Sequence, residues 1–328
     1  MKYIKWGFIG CGNVVERRSG EAFAMVEGSE VVAVMSRNAV KARNYAGKHN
    51  IKTWTSDANE IIYNPDINAV YVATPPASHA TYAIMAMKAG KLVYVEKPLA
   101  ASYDDCLRIN KVSQETGVPC FVAYYKRYLP YYEKVAEIVR SGVLGKINTV
   151  QIKLFRPAEG LDKGENGTLP WRFNPELAGG GLFYDLASHQ FDFLQYLFGV
   201  IIRAYGMPRN NAGLYEAEDT VNACFEFENN LTGVGSWCFA NHSSAKEDCI
   251  QITGDKGMIT YTTYEENIPI KLKTDEGETI FNIASPPMPE LSLIKKVVEH
   301  LQGFSICNST SISTTPTNWV MDRILGKI

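Results

Sequence analysis

Short apolar runs alternate with helical patterns through the first third of the chain. Ile4 to Gly10, Glu30 to Met35, Ala69 to Ala73, Leu92 to Glu96 and Cys120 to Ala123 are continuous enough to be strands buried on both faces. Between them lie helical stretches with stop signals, such as Ala80 to Lys88 followed by Ala89-Gly90. Strand and helix in alternation predict βαβ units and a parallel sheet. The pattern changes after Tyr124. A helix over 130–141 leads to a strand over 147–155, then to a loop rich in Gly, Pro and charge over 156–175. From Thr220 onward come strands over 220–227, 231–239, 248–254, 257–264, 268–274 and 278–283. Asn229-Asn230, Gly254-Asp-Lys-Gly257 and Asp275-Glu-Gly277 between them are hairpin chemistry, so this half is predicted to be mainly antiparallel. The expected fold class is α/β, with domains over 1–123 and 124–328.

Between these halves, residues 179–192 open with three glycines and continue as a helix carrying Asp185, His189 and Asp192 at spacings of four and three. Such spacings stack polar groups on one face, while Phe191, Phe193, Leu194, Leu197 and Phe198 require the helix to be buried. Buried ionisable groups cost free energy unless they are paired or used. An aspartate one turn before a histidine can fix its tautomer, and the ring can then move a proton near neutral pH. Capping or loop bridging by the same two residues is the alternative.

Gly10-Cys11-Gly12-Asn13-Val14 follows the first strand and opens a helix, the place for a dinucleotide-binding turn; Val15 stands where a third glycine is usual. After the second strand come Ser36 and Arg37 in place of an acidic residue. They can bond and neutralise a ribose 2′-phosphate, which tilts the cofactor toward NADP(H); Arg37 stacking on adenine would also permit NAD(H). Lys97 stands where a strand runs out, held before Pro98 in an extended backbone and so aimed at the ligand edge of the sheet.

With 328 residues, 46% hydrophobic and 21% charged, and a formal net charge of −2, the chain has the composition of a soluble globular protein with a small ligand; neither nucleic acid nor a membrane is indicated as a partner. Its start reads straight into a strand without a signal-peptide pattern. The 7 cysteines form no Cys-x-x-Cys pair, so no metal site is expected and the thiols read as reduced and cytoplasmic. Sequons such as Asn166-Gly167-Thr168 then carry no meaning.

Together, Gly10-x-Gly12, Ala73-Thr74-Pro75-x-x-x-His79, Glu96-Lys97-Pro98 and Gly179-Gly-Gly-x-x-x-Asp185-x-x-x-His189-x-x-Asp192 resemble the glucose-fructose oxidoreductase and inositol dehydrogenase family, Gfo/Idh/MocA, in the family's order and across both halves. The resemblance implies an N-terminal Rossmann domain and a C-terminal α/β domain with a large open, mostly antiparallel sheet, used for dimer or tetramer contacts. It makes Lys97, Asp185 and His189 the catalytic group, sets Thr74, Pro75, His79 and Glu96 along the cofactor, and gives His79 and Asp192 supporting roles. The departure lies in the first helix, Val14-Val15-Glu16-Arg17-Arg18-Ser19-Gly20, where Arg17 and Arg18 either reach a phosphate or are solvated charge.

Implied activity is hydride exchange between a nicotinamide and a sugar, keto sugar, polyol or diol. Tyr124, Lys126, Arg127, Arg156, Trp171 and Arg172 are substrate-binding candidates, with Arg127 alternatively serving the domain junction and Trp171 packing. The segment Trp171 to Ala178 is similar to that of 1,5-anhydrofructose reductases and dihydrodiol dehydrogenases, which favours an NADP-linked keto-sugar reductase. Two other readings stay open: an NAD-dependent glycoside hydrolase working by transient oxidation, and a non-enzymatic nucleotide-sensing regulator.

Overall fold

The structure, a computed structural model, describes residues 3–159, 161 and 167–328; Asn166, with its sequon, lies outside them. Two compact units are present. One extends to Tyr125 and takes back Pro287–Asn318; the other comprises Lys126–Pro286 and Trp319–Ile328.

In the first unit β1 (Ile4–Ile9), β2 (Ser29–Met35), β3 (Thr53–Thr55), β4 (Ala69–Val72), β5 (Leu92–Val95) and β6 (Cys120–Val122) form a six-stranded sheet in the order β3-β2-β1-β4-β5-β6. Every pairing is parallel. The order reverses between β1 and β4, and the strand ends beside such a reversal are where open α/β sheets bind ligands. Val70, Val72, Val93 and Val95 are buried with Ala83, Ala86, Met87 and Ile109. Those last four come from helices α4 (His79–Lys88) and α5 (Tyr103–Thr116), which follow α1 (Gly20–Met25), α2 (Ala39–Lys48) and α3 (Ala58–Ile62) in the chain.

The domain boundary needs correction. Sequence patterning assigned everything after residue 123 to the second domain, whereas 287–318 belongs to the first unit. The reason lies in the edge strand: Val122 N–H donates to Ser309 O at 2.8 Å, the Ser309 hydroxyl donates to Val122 O at 2.7 Å, and Phe121 bridges Thr310. The returning segment thus covers polar backbone that β6 would otherwise leave unpaired.

The second unit holds eight strands, β7 (Ile147–Phe155), β8 (Ile201–Arg209), β9 (Thr220–Phe227), β10 (Thr232–Cys238), β11 (Glu247–Gly254), β12 (Gly257–Tyr261), β13 (Ile270–Thr274) and β14 (Gly277–Phe281). They lie in the order β14-β13-β12-β11-β7-β10-β9-β8, and only β7–β10 is parallel among the described pairings. Helices α6 (Pro130–Arg140), α7 (Pro175–Ala178) and α8 (Gly181–Phe198) come before β8 in the chain. Phe183, Ala187, Phe191 and Leu194 of α8 are buried in one cluster with Val150, Phe225 and Trp237 of the sheet. The remaining helices are α9 (Leu291–Gln302) and α10 (Ser311–Ile324). No helix among the described residues is long and apolar enough to cross a membrane.

One charge lies deep on α8. Asp192 is 1% exposed, and Arg127 grips it with both arms of its guanidinium, Nε to Oδ2 at 2.7 Å and Nη2 to Oδ1 at 2.5 Å. Burial pushes the Asp192 carboxyl up, and Arg127 pulls against it. Removing one partner of a buried pair leaves the other charge uncompensated, which costs about 3–5 kcal/mol. Asp192→Asn is therefore expected to lose stability of that order in urea denaturation; a loss of only a few tenths would show that the pair is not structural.

Candidate functional site

In the first unit the strand ends carry most of the cofactor candidates. Gly10 has φ +103°, and a Cβ there would sit 2.5 Å from Ala73 O, so only glycine lets the turn after β1 pass the loop after β4. A Cβ on Gly12 would meet nothing within 4 Å, which leaves the backbone there open to a ligand. The chain then enters a helix containing one π-helical turn, Val15–Ser19, closed by Gly20 N–H to Val15 O. Open backbone before a helix N-terminus suits a pyrophosphate. Cys11 is buried, with its thiol pushed up by burial, while Asn13 is exposed and Val14 half-buried. Ser36 is half-buried and Arg37 exposed after β2, where they would hold the ribose side of a dinucleotide.

Thr74 and Pro75 are half-buried after β4, with the Ser78 hydroxyl donating to Thr74 Oγ1 at 2.7 Å. His79 is fully enclosed. Its Nε2 lies 2.7 Å from Thr74 O and its Nδ1 3.0 Å from Pro98 O; burial lowers the ring's pKa while these carbonyls raise it. The ring is therefore a clasp between two strand-end loops, one of which carries Thr74.

Lys97 follows β5, and the Lys97–Pro98 peptide is cis. Near it are two acids, Glu96, which the resemblance sets along the cofactor, and Glu290, which sequence reasoning missed. Glu96 accepts the Tyr71 hydroxyl at 2.5 Å and the Lys97 N–H at 3.3 Å, and Tyr71 in turn meets the Ser19 hydroxyl at 2.8 Å. Glu290, from the segment that returns to this unit, is 1% exposed. Burial holds its carboxyl well above the usual range and neighbouring Glu96 pushes it further, against Arg18 and Lys97. Burial likewise raises Glu96, opposed by Tyr71 and Lys97. Arg18, itself exposed, donates from its guanidinium to the Tyr125 hydroxyl at 3.5 Å. Tyr124, after β6, is fully buried.

In the second unit Asn174 caps α7 through Glu176 N and Leu177 N at 2.8 and 3.1 Å, and Gly179 and Gly181, both at positive φ, turn the chain into α8. A Cβ on Gly181 would lie 2.4 Å from that of Ala217. The turn sets Asp185 half-buried in the second turn of α8 and His189, 2% exposed, one turn on. Arg172 Nε lies 3.9 Å from Asp185 Oδ2, and its guanidinium is 5.5 Å from the ring of half-buried Trp171. The bidentate contact with Asp192 takes up Arg127, proposed on sequence as a substrate contact.

Sequence reasoning also missed Tyr264, the hub of this group. Its ring centroid lies 6.4 Å from that of His189, 4.9 Å from Lys126 Nζ and 5.9 Å from the Arg156 guanidinium, and its hydroxyl donates to Leu186 O. Asp248 fixes its loop by accepting the N–H groups of Thr263, Tyr264 and Glu265 at 3.0, 2.5 and 2.9 Å. Lys126 adds a bond to Thr263 O at 2.6 Å, and Gln190 one to Thr263 Oγ1 at 3.1 Å. Tyr264 reads in the sequence as the end of a strand, so nothing local marks it.

Residues 4–124 match the oxidoreductase family with NAD-binding Rossmann fold, and residues 132–260 match the GFO/IDH/MocA C-terminal domain. An oxidoreductase of Formosa agariphila is 38% identical over 327 residues, 98% of either chain. The scyllo-inositol 2-dehydrogenase (NAD(+)) of Bacillus subtilis is 27% identical over 70% of this chain and 66% of its own. Among solved structures, a levoglucosan dehydrogenase in complex with NADH and levoglucosan shares the fold at a TM-score of 0.85, with 21% identity over 99% of this chain and 96% of that one. The nucleotide-ready turn after β1, the order of the parallel sheet and the glycine-opened helix α8 accord with these matches, and the chain belongs to the Gfo/Idh/MocA family of nicotinamide-dependent oxidoreductases.

Proposed function

We propose that the protein interconverts a hydroxyl and a carbonyl group on a sugar, keto sugar, polyol or diol, with NADP(H) preferred to NAD(H), and that Lys97, Asp185 and His189 are its catalytic group. The observation that carries this reading is His189, a titratable ring enclosed on α8 one turn after Asp185. A bound nicotinamide dinucleotide supplies or accepts the hydride. The protein's own task is the proton and the charge on the reacting oxygen. His189 takes the hydroxyl proton in oxidation or returns it in reduction, Asp185 orients the ring, and the Lys97 ammonium steadies the oxygen as negative charge develops. The Trp171–Ala178 segment and the Ser36-Arg37 pair favour reduction of a keto sugar as the working direction.

Replacing His189 by alanine or Lys97 by methionine is expected to cut turnover by roughly 10²-fold or more with cofactor affinity nearly unchanged. Absorbance assays of NADPH and NADH with keto sugars, and of the oxidised cofactors with sugars, inositols and diols, measure this. Near-normal turnover in either variant rejects its assigned role, and silence of the native protein across all panels favours the glycosidase or sensor readings.

Exposure of Arg37 after β2 supports a contact with a 2′-phosphate. The ratio of kcat/KM for NADPH over NADH should exceed one and fall about tenfold in Arg37→Ala, the loss of one charge-assisted contact. A native ratio below one overturns the NADP preference.

The outer face of the second sheet supports self-association. Tyr205 and Met207 on β8 are 62% and 64% exposed and Val234 on β10 is 50% exposed, along a groove of about 520 Å³. An apolar strip on a broad sheet is most simply covered by a second copy of the same strip, giving a homodimer or homotetramer. Light scattering at micromolar concentration should give a mass above one chain, and Tyr205→Glu should lower it; a monomeric native protein excludes this use of the face.

A further inference from the structure

Arg156 brings a positive charge beside the ring of Tyr264 in the second unit. Its backbone is pinned on both sides just after β7, with its N–H donating to Cys238 O at 2.8 Å and its carbonyl accepting Asn241 N–H at 3.1 Å. The root of the side chain is therefore fixed. Its guanidinium stands over Tyr264, the ring that also borders His189. Yet Nε is enclosed and has no hydrogen-bond partner, and no acidic group among the described residues pairs with Arg156. Leaving a buried donor unmade costs about 1–3 kcal/mol. Contact with the tyrosine face offsets part of the charge's desolvation but gives Nε no acceptor.

The acids around Tyr264 have other partners. Asp192 is gripped by Arg127, Asp248 receives three backbone N–H groups, Asp185 faces Arg172, and Glu265 pairs with Lys246 at 3.0 Å. Lys126 brings a second positive charge to the same ring while directing its ammonium at Thr263 O. A neutral polyol could offer Nε a hydroxyl oxygen but would leave the positive charge unanswered. A carboxylate answers both, because the Nε edge of a guanidinium presents two parallel donors that match its two oxygens. A phosphate carries more charge and more acceptors than this single fork serves.

We propose that the site beside His189 takes a substrate bearing a carboxylate, an acidic sugar rather than a neutral one, and that Arg156 is the residue that holds that carboxylate. This rests on the reading of the site as one for a sugar or polyol. It narrows the substrate class and assigns Arg156 to specificity.

Calorimetric titration of the full-length protein in the presence of NADP⁺ compares pairs that differ at one carbon, glucuronate with glucose and galacturonate with galactose, and turnover is followed on the same pairs. At least one acid should bind about tenfold or more tightly than its neutral parent, and added salt should weaken the acid alone. In Arg156→Met the ratio of acid to neutral affinity should collapse toward one, and Arg156→Lys, which keeps the charge without the fork, should retain part of it. Equal or weaker binding of every acid at millimolar concentration, a preference indifferent to salt, or a preference that survives Arg156→Met overturns the proposal. The salt series needs only the native protein, so it decides even if the variants do not fold. A binding preference without turnover would leave this inference standing and count against the oxidoreductase reading; turnover without a preference for acids would do the reverse.

Discussion

Helix α8 must lie in the core of the second unit and yet bring ionisable side chains with it. Its apolar side, Phe183, Ala187, Phe191 and Leu194, packs with the sheet residues Phe225 and Trp237, while Asp185, His189 and Asp192 follow one another along a single stripe. An isolated carboxylate at the depth of Asp192 would be prohibitive. The grip of Arg127 makes the position tenable and fixes the rotation of α8. With that rotation set, His189 is enclosed beside Tyr264 and Asp185 reaches the half-buried rim near Arg172. The pair is thus less a source of net stability than the condition under which a reactive ring can be aimed.

A comparable arrangement stands under Lys97. Two carboxyls, Glu96 and Glu290, are enclosed together with Tyr71, and Arg18 and Lys97 oppose the cost of their burial. The unusual first helix finds a physical reason here. Its π-helical turn, Val15–Ser19, carries Ser19 to Tyr71 and Arg18 to Tyr125. A run of small apolar residues at that place could do neither.

Much of this was legible in the sequence, because the signals were local. Continuous apolar runs marked β1, β2, β4, β5 and β6, since strands buried on both faces have no polar positions to interrupt them. Two strands escaped. β3 is three residues long at the sheet edge, with Thr53 and Trp54 exposed, and so shows no apolar run. β8 turns Ile202, Tyr205 and Met207 outward and contains Gly206 and Pro208, which breaks the alternation that marks a half-buried strand. The stripe on α8 was visible because i, i+4 and i+7 spacing is local. Its partner was not, for Arg127 lies 65 residues away and looks in the sequence like any basic residue near a ligand. The Asp248 loop that presents Tyr264, and Glu290 under Lys97, were hidden for the same reason.

The edge of β6 closes only when Ser309 and Thr310 arrive. During synthesis, the unit that carries β1 therefore cannot be finished until residue 318 has been made. Residues 126–286, the larger part of the second unit, emerge in between while the older sheet still waits with an open edge. Each unit thus waits on a late stretch of chain, the nucleotide-binding one on residues 287–318 and the other on residues 319–328, whose Val320, Met321 and Ile324 join its core. A ribosome stalled before the final helices would thus leave tethered a chain whose exposed β6 edge is open to pairing with strangers.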